Sequence, residues 1–224
     1  MKFGVVVFPG TWSDCDFHYV ISEVLHQPVK YVWHRERDLG DLDCVILPGG
    51  FSYGDYLRAG AVAGRSPVVG ALGDFVARGG HVLGSCNGFQ ILCEAHLLPG
   101  ALTRNLARRF INRDVTIRIE NASSAWTSEY KAGQEITVVL KSGEGAYVAT
   151  DETLAGLHRN GQVLARYASG NPNGSVADIA GVLNEAGNVA GLMPHPEHAI
   201  DALTGPTVDG LPFFTSVLQL VRAA

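Results

Sequence analysis

The sequence predicts an α/β fold: a doubly wound, mostly parallel sheet with helices on both faces and an antiparallel extension. Three observations carry this. The chain opens on Gly4–Phe8, a continuous valine-rich run of the kind found in a strand covered on both faces. Through roughly the first hundred residues such runs alternate with helix-period segments. Beyond that point strand patterns follow one another with one short helix among them, which fits antiparallel pairing.

Taken in order, Ser13 and Asp14 can cap a helix over Cys15–Leu25, whose Phe17, Val20, Ile21 and Val24 fall on one stripe. Val29–Trp33 and Cys44–Leu47 read as the second and third strands. Arg65–Arg78 is a helix with Val68, Val69, Leu72, Phe75 and Val76 on its apolar side, stopped by Gly79-Gly80. His81–Gly84 is a fourth strand and Phe89–His96 another helix. In the second half, Val115–Glu120, Ile136–Leu140, Val163–Tyr167, Ile179–Leu183 and Val189–Met193 read as strands. Glu185-Ala186-Gly187 supplies a hairpin turn between the last two. A short helix is expected at Glu152–His158, and an amphipathic helix, Pro212–Arg222, closes the chain. No linker or repeat interrupts the pattern, so residues 1–224 are read as one domain.

Composition narrows the function classes. Hydrophobic residues form 46% of the 224, enough for a substantial core, yet no run approaches the roughly 20 apolar residues of a membrane span. Pro9-Gly10 ends the first apolar run too early for a signal-peptide core, so the cytoplasm is the expected compartment. A net charge of −5 argues against general nucleic-acid binding. Arg104, Arg108, Arg109 and Arg113 form a local basic cluster that reads as a solvated loop slightly better than as a contact surface. The four cysteines include no CxxC pair, and the eight histidines have no metal-ligand spacing; no metal site is expected.

Gly84-Ser85-Cys86-Asn87-Gly88 lies between a predicted strand and a predicted helix. This is the G-x-nucleophile-x-G spacing of a nucleophile elbow, with cysteine as the nucleophile. The turn would place the sulfur at the carboxyl ends of the strands, where open α/β sheets bind ligands, and the helix N-terminus would favour a thiolate. The Asn87 amide would face the oxygen of a tetrahedral intermediate. Read alone, the same residues admit an inert core cysteine or an Asn-Gly hairpin turn. Cys44 and Cys93 fit the inert reading, and Cys15 is assigned to it as well.

A thiol nucleophile needs a base, and Met193-Pro194-His195-Pro196-Glu197-His198 follows a predicted strand. Prolines on either side of His195 favour an extended path, in which residues i and i+2 share a side. His195 and Glu197 would then form a base and its orienter, while His198 faces the opposite way in a supporting role. Leu47-Pro48-Gly49-Gly50 ends the third strand at the same sheet edge, so the Gly50 amide can serve as a second oxyanion donor. A phosphate loop is the rival there, but neither GxGxxG nor GxxxxGK[ST] is present.

Together, the Gly84-x-Cys86-x-Gly88 elbow, His195-Pro-Glu197 and the Pro48-Gly-Gly50 loop resemble the class I, or triad, glutamine amidotransferases. Phe8-Pro-Gly-Thr11, the stretch from Leu47 to Arg58, Cys86–Leu92 and Asn171-Pro-Asn-Gly-Ser175 narrow the resemblance to the glutaminase subunits of phosphoribosylformylglycinamidine synthases, over nearly the whole chain. The resemblance implies Cys86 as nucleophile, His195 and Glu197 as its helpers, Gly50 and Asn87 as oxyanion donors, and Gln90 and Phe110 as glutamine contacts. It implies L-glutamine as substrate, no cofactor in this chain, and ammonia delivery to a large synthetase subunit that holds ATP and magnesium. A small bridging subunit is a further implied partner, and purine biosynthesis the implied setting. The chain departs from that family at His198, often arginine, and at Ser85, commonly a bulkier apolar residue; neither change is expected to touch the triad. A cysteine-dependent hydrolase on a similar sheet is the rival enzyme, and a non-catalytic scaffold the rival of another class; the intact Cys86, His195 and Glu197 count against the scaffold.

Overall fold

The computed structural model describes residues 1–223. Its first half winds β1 (Phe3–Val7), α1 (Asp14–Tyr19), β2 (Val29–Trp33), β3 (Cys44–Leu47), α2 (Pro67–Ala77), β4 (His81–Ser85) and α3 (Asn87–Glu94). The second half adds β5 (Ala101–Thr103), β6 (Ile111–Ile119), β7 (Glu135–Ser142), β8 (Ala146–Val148), α4 (Asp151–Arg159), β9 (Val163–Tyr167), β10 (Ile179–Leu183), β11 (Val189–Leu192) and α5 (Leu211–Ala223).

Nine strands form one sheet in the order β2-β1-β3-β4-β11-β10-β9-β6-β7. The five from β2 to β11 run parallel, and β10, β9, β6 and β7 extend them antiparallel. Edge strand β2 leaves Lys30, Tyr31 and Trp33 exposed, but the other parallel strands are largely apolar runs because both their faces are covered: Val5, Val6, Val45, Ile46, Val82, Leu83, Val189 and Ala190 are all fully buried. Phe17 of α1 packs edge-on against Phe214 of α5, so these helices cover one part of the sheet together. β1 lies between β2 and β3, which makes its carboxyl end a switch point where loops diverge and leave a crevice. No helix of the described residues is long and apolar enough to cross a membrane.

Several elements differ from expectation. The helix expected over Cys15–Leu25 is α-helical only to Tyr19; Val20–Val24 is a wider π turn, closed by the Leu25 amide on the Val20 carbonyl at 2.9 Å. Ser13 precedes it without a side-chain cap bond, and Cys15, assigned to the core, is exposed. β6 begins at Ile111, four residues before the expected Val115. Its polar start, Asn112-Arg113-Asp114, pairs on one side only, with β7, so no apolar pattern is needed there. The β5–β8 pair has three residues per strand, too short to show a period, and forms its own two-stranded sheet.

Candidate active site

Cys86 joins the end of β4 directly to the start of α3, with φ 50° and ψ −105°. That conformation is sparsely populated for any residue with a side chain and costs about 1–3 kcal/mol. It persists because both sides are pinned. The Cys86 amide donates to the Leu192 carbonyl of β11 at 2.9 Å, and its own carbonyl accepts from Gln90 at 3.1 Å. The flanking glycines are steric necessities. A Cβ on Gly84 would lie 2.6 Å from the Gly88 carbonyl carbon, and one on Gly88 would overlap the Leu47 carbonyl oxygen. The elbow reading of the sequence therefore describes the backbone, and the hairpin alternative does not.

His195 and Glu197 meet as a buried pair, with Nδ1 and Oε1 2.6 Å apart. β11 carries the chain to this point, and the His195 amide donates to Val139 of β7 at 2.8 Å, which fixes the backbone before the turn. Burial alone would lower the imidazole pKa. The Glu197 carboxylate and the neighbouring Cys86 sulfur outweigh it and hold His195 well above the ordinary histidine range. Glu197 shows the converse: burial raises its carboxyl, but the His195 charge and hydrogen bond bring it below the ordinary value. The route differs from the expected one. Only His195 is extended, at φ −103° and ψ 93°; Pro196–His198 is a 3-10 turn. Proline at the first helical position starts that turn readily, since its φ is already helical.

Cys86 and His195 crowd the same glycine. A Cβ on Gly49 would stand 2.6 Å from His195 Cε1 and 3.4 Å from Cys86 Cβ. The thiol donates to the Lys141 carbonyl at 3.4 Å, and His195 Nε2 is buried without a partner. A buried ring nitrogen left unpaired, with its other nitrogen held by a carboxylate, is poised to exchange a proton with a group placed between it and the sulfur.

The Gly50 loop is zipped to the loop after β1: Trp12 and Ser13 donate to the Gly49 carbonyl, and Phe51 donates to Gly10. Gly50 has φ 150°, and a Cβ there would lie 2.7 Å from the Gly10 oxygen and 2.8 Å from the Trp12 nitrogen, so glycine is required. Asn87 opens α3 with a first-turn amide, and the N-cap Cys86 side chain makes no capping bond. The Asn87 side chain is tied to neighbours, accepting from the Ser52 amide and donating to Gln90 Oε1. Gln90 in turn donates to the Glu144 carbonyl at 2.7 Å. Phe110 sits further out, 55% exposed, its ring 6.2 Å from that of Phe51. It lies over the turn that follows Lys141, since a Cβ on Gly143 would be 3.6 Å from it. Of the four arginines expected as a solvated loop, Arg104, Arg108 and Arg109 are exposed outside the regular elements, with Arg104 3.5 Å from Glu144; Arg113 is exposed too but lies in β6, paired with Leu140.

Two expectations are corrected here. His198 does not face away from the pair: its ring stacks on His195 with centroids 5.0 Å apart and planes 15° apart, because the 3-10 turn replaces an extended path. The departures at Ser85 and His198, expected to touch none of Cys86, His195 and Glu197, both touch one of them. The fully buried Ser85 hydroxyl donates to Glu197, at 3.3 Å to Oε2 and 3.5 Å to Oε1. His195, Glu197 and His198 bring three potential metal-ligand atoms within 4.8 Å of one another. Glu197 is hydrogen-bonded to His195 Nδ1, and both ring nitrogens of His198 lie against Asp16 and Lys141.

Sequence reasoning also missed the residues that shape the 141–147 segment. The side chain of buried Asn105 donates to Ser142 and Arg109 carbonyls and accepts from the Gly145 amide. Asn173 donates to Gly145, and Ser175 accepts from Tyr147, which gives the Asn171–Ser175 stretch a bracing role. Buried asparagines on loops carry no periodic signal; only the density of Asn, Gly and Ser there hinted at them.

A family model described as a CobB/CobQ-like glutamine amidotransferase domain matches residues 1–214. A relative from Frankia casuarinae called phosphoribosylformylglycinamidine synthase subunit PurQ is 55% identical, over 97% of this chain and 93% of its own length. The protein of the same description from Trichormus variabilis is 52% identical over 100% of this chain and 99% of its own. Among solved structures, a chain of PurLQS from Thermotoga maritima superposes with a TM-score of 0.89 at 41% identity, covering 98% of each chain. The glutaminase domain of Trypanosoma brucei CTPS, at 14% identity and a TM-score of 0.59, shares the fold. The elbow, the late histidine–glutamate pair and the glycine loop thus lie in a chain that belongs to the CobB/CobQ-like glutamine amidotransferase family.

Proposed function

We propose that the protein is the glutaminase subunit of a phosphoribosylformylglycinamidine synthase. It hydrolyses L-glutamine and hands the ammonia to an ATP-dependent synthetase partner in purine biosynthesis. The name shared by its relatives and its likeness to a chain of PurLQS support this reading. The observation that carries the chemistry is the strained Cys86 elbow beside a buried, partnerless His195 Nε2 backed by Glu197.

In the first half-reaction Cys86 Sγ, its proton held by His195, attacks the side-chain carbonyl carbon of glutamine. The oxygen takes the negative charge and accepts hydrogen bonds from the Gly50 and Asn87 amides. His195 Nε2–H protonates the departing nitrogen, ammonia leaves and a γ-glutamyl thioester remains. In the second, His195 takes a proton from water, the hydroxide attacks the thioester carbon, and glutamate leaves as the Sγ–C bond breaks. Glu197 keeps Nδ1 protonated throughout. Gln90, anchored by Asn87 and Glu144, and Phe110 at the rim contact the substrate's amino-acid end. This chain needs no cofactor; ATP and magnesium belong to the synthetase subunit, a small bridging subunit completes the assembly, and the cytoplasm is its setting. The whole chain, residues 1–224, acts as one amidotransferase domain.

The test is Cys86→Ala in the assembled synthase. Glutamine-dependent synthesis should vanish while synthesis from added ammonium persists. A variant that still hydrolyses glutamine at the parent rate would remove Cys86 from this role, and labelled ester or peptide turnover by the parent would favour the hydrolase alternative.

A further inference from the structure

His198 sits in a chain of contacts that the proposed glutaminase chemistry does not use. Its Nδ1 lies 3.3 Å from Lys141 Nζ and its Nε2 lies 3.0 Å from Asp16 Oδ2. A lysine ammonium has only protons to give, so Nδ1 must be the acceptor. The ring proton is then on Nε2 and is donated to Asp16. A second ring proton, on Nδ1, would point at an ammonium. The three side chains come from different elements, α1, β7 and the turn after β11, so the relay also ties those elements together at the site.

The other face of that ring is turned to His195, nearly parallel and 5.0 Å away between centroids. The groups facing His198 are therefore His195, Asp16 and Lys141, with Glu197 adjacent in the chain. An imidazolium at His198 would set two like charges face to face whenever His195 is protonated. A neutral ring there offers a flat surface without that repulsion. Lys141 serves the site twice, since its backbone carbonyl receives the Cys86 thiol.

We propose that His198 is a positioning residue. Locked between Lys141 and Asp16 as the neutral Nε2–H tautomer, it gives His195 an uncharged ring to lie against, which fixes the imidazole plane and leaves the imidazolium unopposed. The role rests on the glutaminase reading for its consequence, but the tautomer can be read without it.

Two measurements test this. Nitrogen-15 NMR of the full chain at neutral pH should show His198 with Nε2 protonated and Nδ1 bare; a doubly protonated ring or an Nδ1–H tautomer overturns the proposal. Kinetics of glutamine hydrolysis in the assembled synthase supply the second. His198→Ala should lower kcat roughly tenfold with KM within about twofold, because misorientation of a proton-transfer group acts on the chemical step. His198→Phe restores a flat neutral ring and should recover kcat to within about threefold of the parent. His198→Arg adds a cation at that face and should move the alkaline limb of the pH profile down by about one unit. Equal losses in the Ala and Phe variants, or an unmoved limb in the Arg variant, overturn the positioning role. A parent complex that leaves glutamine untouched overturns the glutaminase reading instead, with the NMR result standing on its own.

Discussion

Replacing Glu197 by glutamine keeps the volume of the side chain and removes its charge. The Nδ1–Oε1 contact is 2.6 Å long, and the side chain of Glu197 is wholly buried. A hydrogen bond between charged partners contributes about 1.5–3 kcal/mol net. At about 1.4 kcal/mol per factor of ten, losing that support for the imidazolium slows turnover roughly 10- to 150-fold. The amide oxygen can still accept from Nδ1, so orientation survives in part and the loss stays below that of His195→Ala. The assay is glutamate release by the assembled synthase across a pH series. Burial lowers the His195 pKa and the Glu197 charge is the foremost influence raising it, so the alkaline limb should shift to lower pH in the variant. Stability follows the same signs. His195, raised in the fold above its ordinary 6.5, contributes fully below that pH and loses its contribution as pH rises through the folded value. Glu197, lowered from 4.5, contributes above that pH and loses its contribution as pH falls. The parent's advantage over Glu197→Gln should therefore be widest between those two values. An unchanged kcat, or a limb that moves upward, would refute the pairing argument.

Further outcomes follow from the same geometry. Gly88→Ala forces a Cβ onto the Leu47 carbonyl with backbone on both sides; it should cost upwards of about 4 kcal/mol or prevent soluble expression, as read by chemical denaturation. Gly50→Ala meets both φ 150° and the Gly10 oxygen, and should abolish glutamine turnover more completely than it lowers the melting temperature. Ser85→Ala removes a long hydrogen bond to Glu197. It should slow turnover by less than about tenfold, since that bond contributes on the order of 1 kcal/mol; a loss as large as that of Glu197→Gln would mean that Ser85 has a greater part.

Much of this architecture was legible because the parallel strands must be apolar on both faces. Cys44–Leu47 carries that signal to the residue, buried along its whole length; the edge strand Val29–Trp33 and the antiparallel Val163–Tyr167 and Ile179–Leu183 match their expected bounds through their β-branched, aromatic and aliphatic content instead. The Cys86 elbow was legible because its turn admits only glycine at positions 84 and 88. The juxtaposition of His195 and Glu197 was anticipated, but through the wrong geometry. Prolines on both sides of His195 favour an extended chain, whereas Pro196 begins a 3-10 turn, which also brings His198 onto the His195 ring. Ser85, Asp16, Lys141, Asn105 and Asn173 could not be found from pattern. Each acts through a contact with a residue distant in sequence, such as the 112-residue separation between Ser85 and Glu197. Such contacts exist only once the sheet order is known.

The central claim, that Cys86 is the nucleophile toward glutamine, is tested most directly by covalent trapping. The synthase is incubated with a thiol-reactive glutamine analogue, such as a diazoketone or chloroketone, and each cysteine peptide is read by mass spectrometry. Cys15 is the internal control, since it is exposed while Cys44, Cys86 and Cys93 are buried. The account predicts a single adduct on Cys86, blocked by excess L-glutamine and absent in His195→Ala. Labelling governed by exposure, with Cys15 modified and Cys86 untouched, would contradict it.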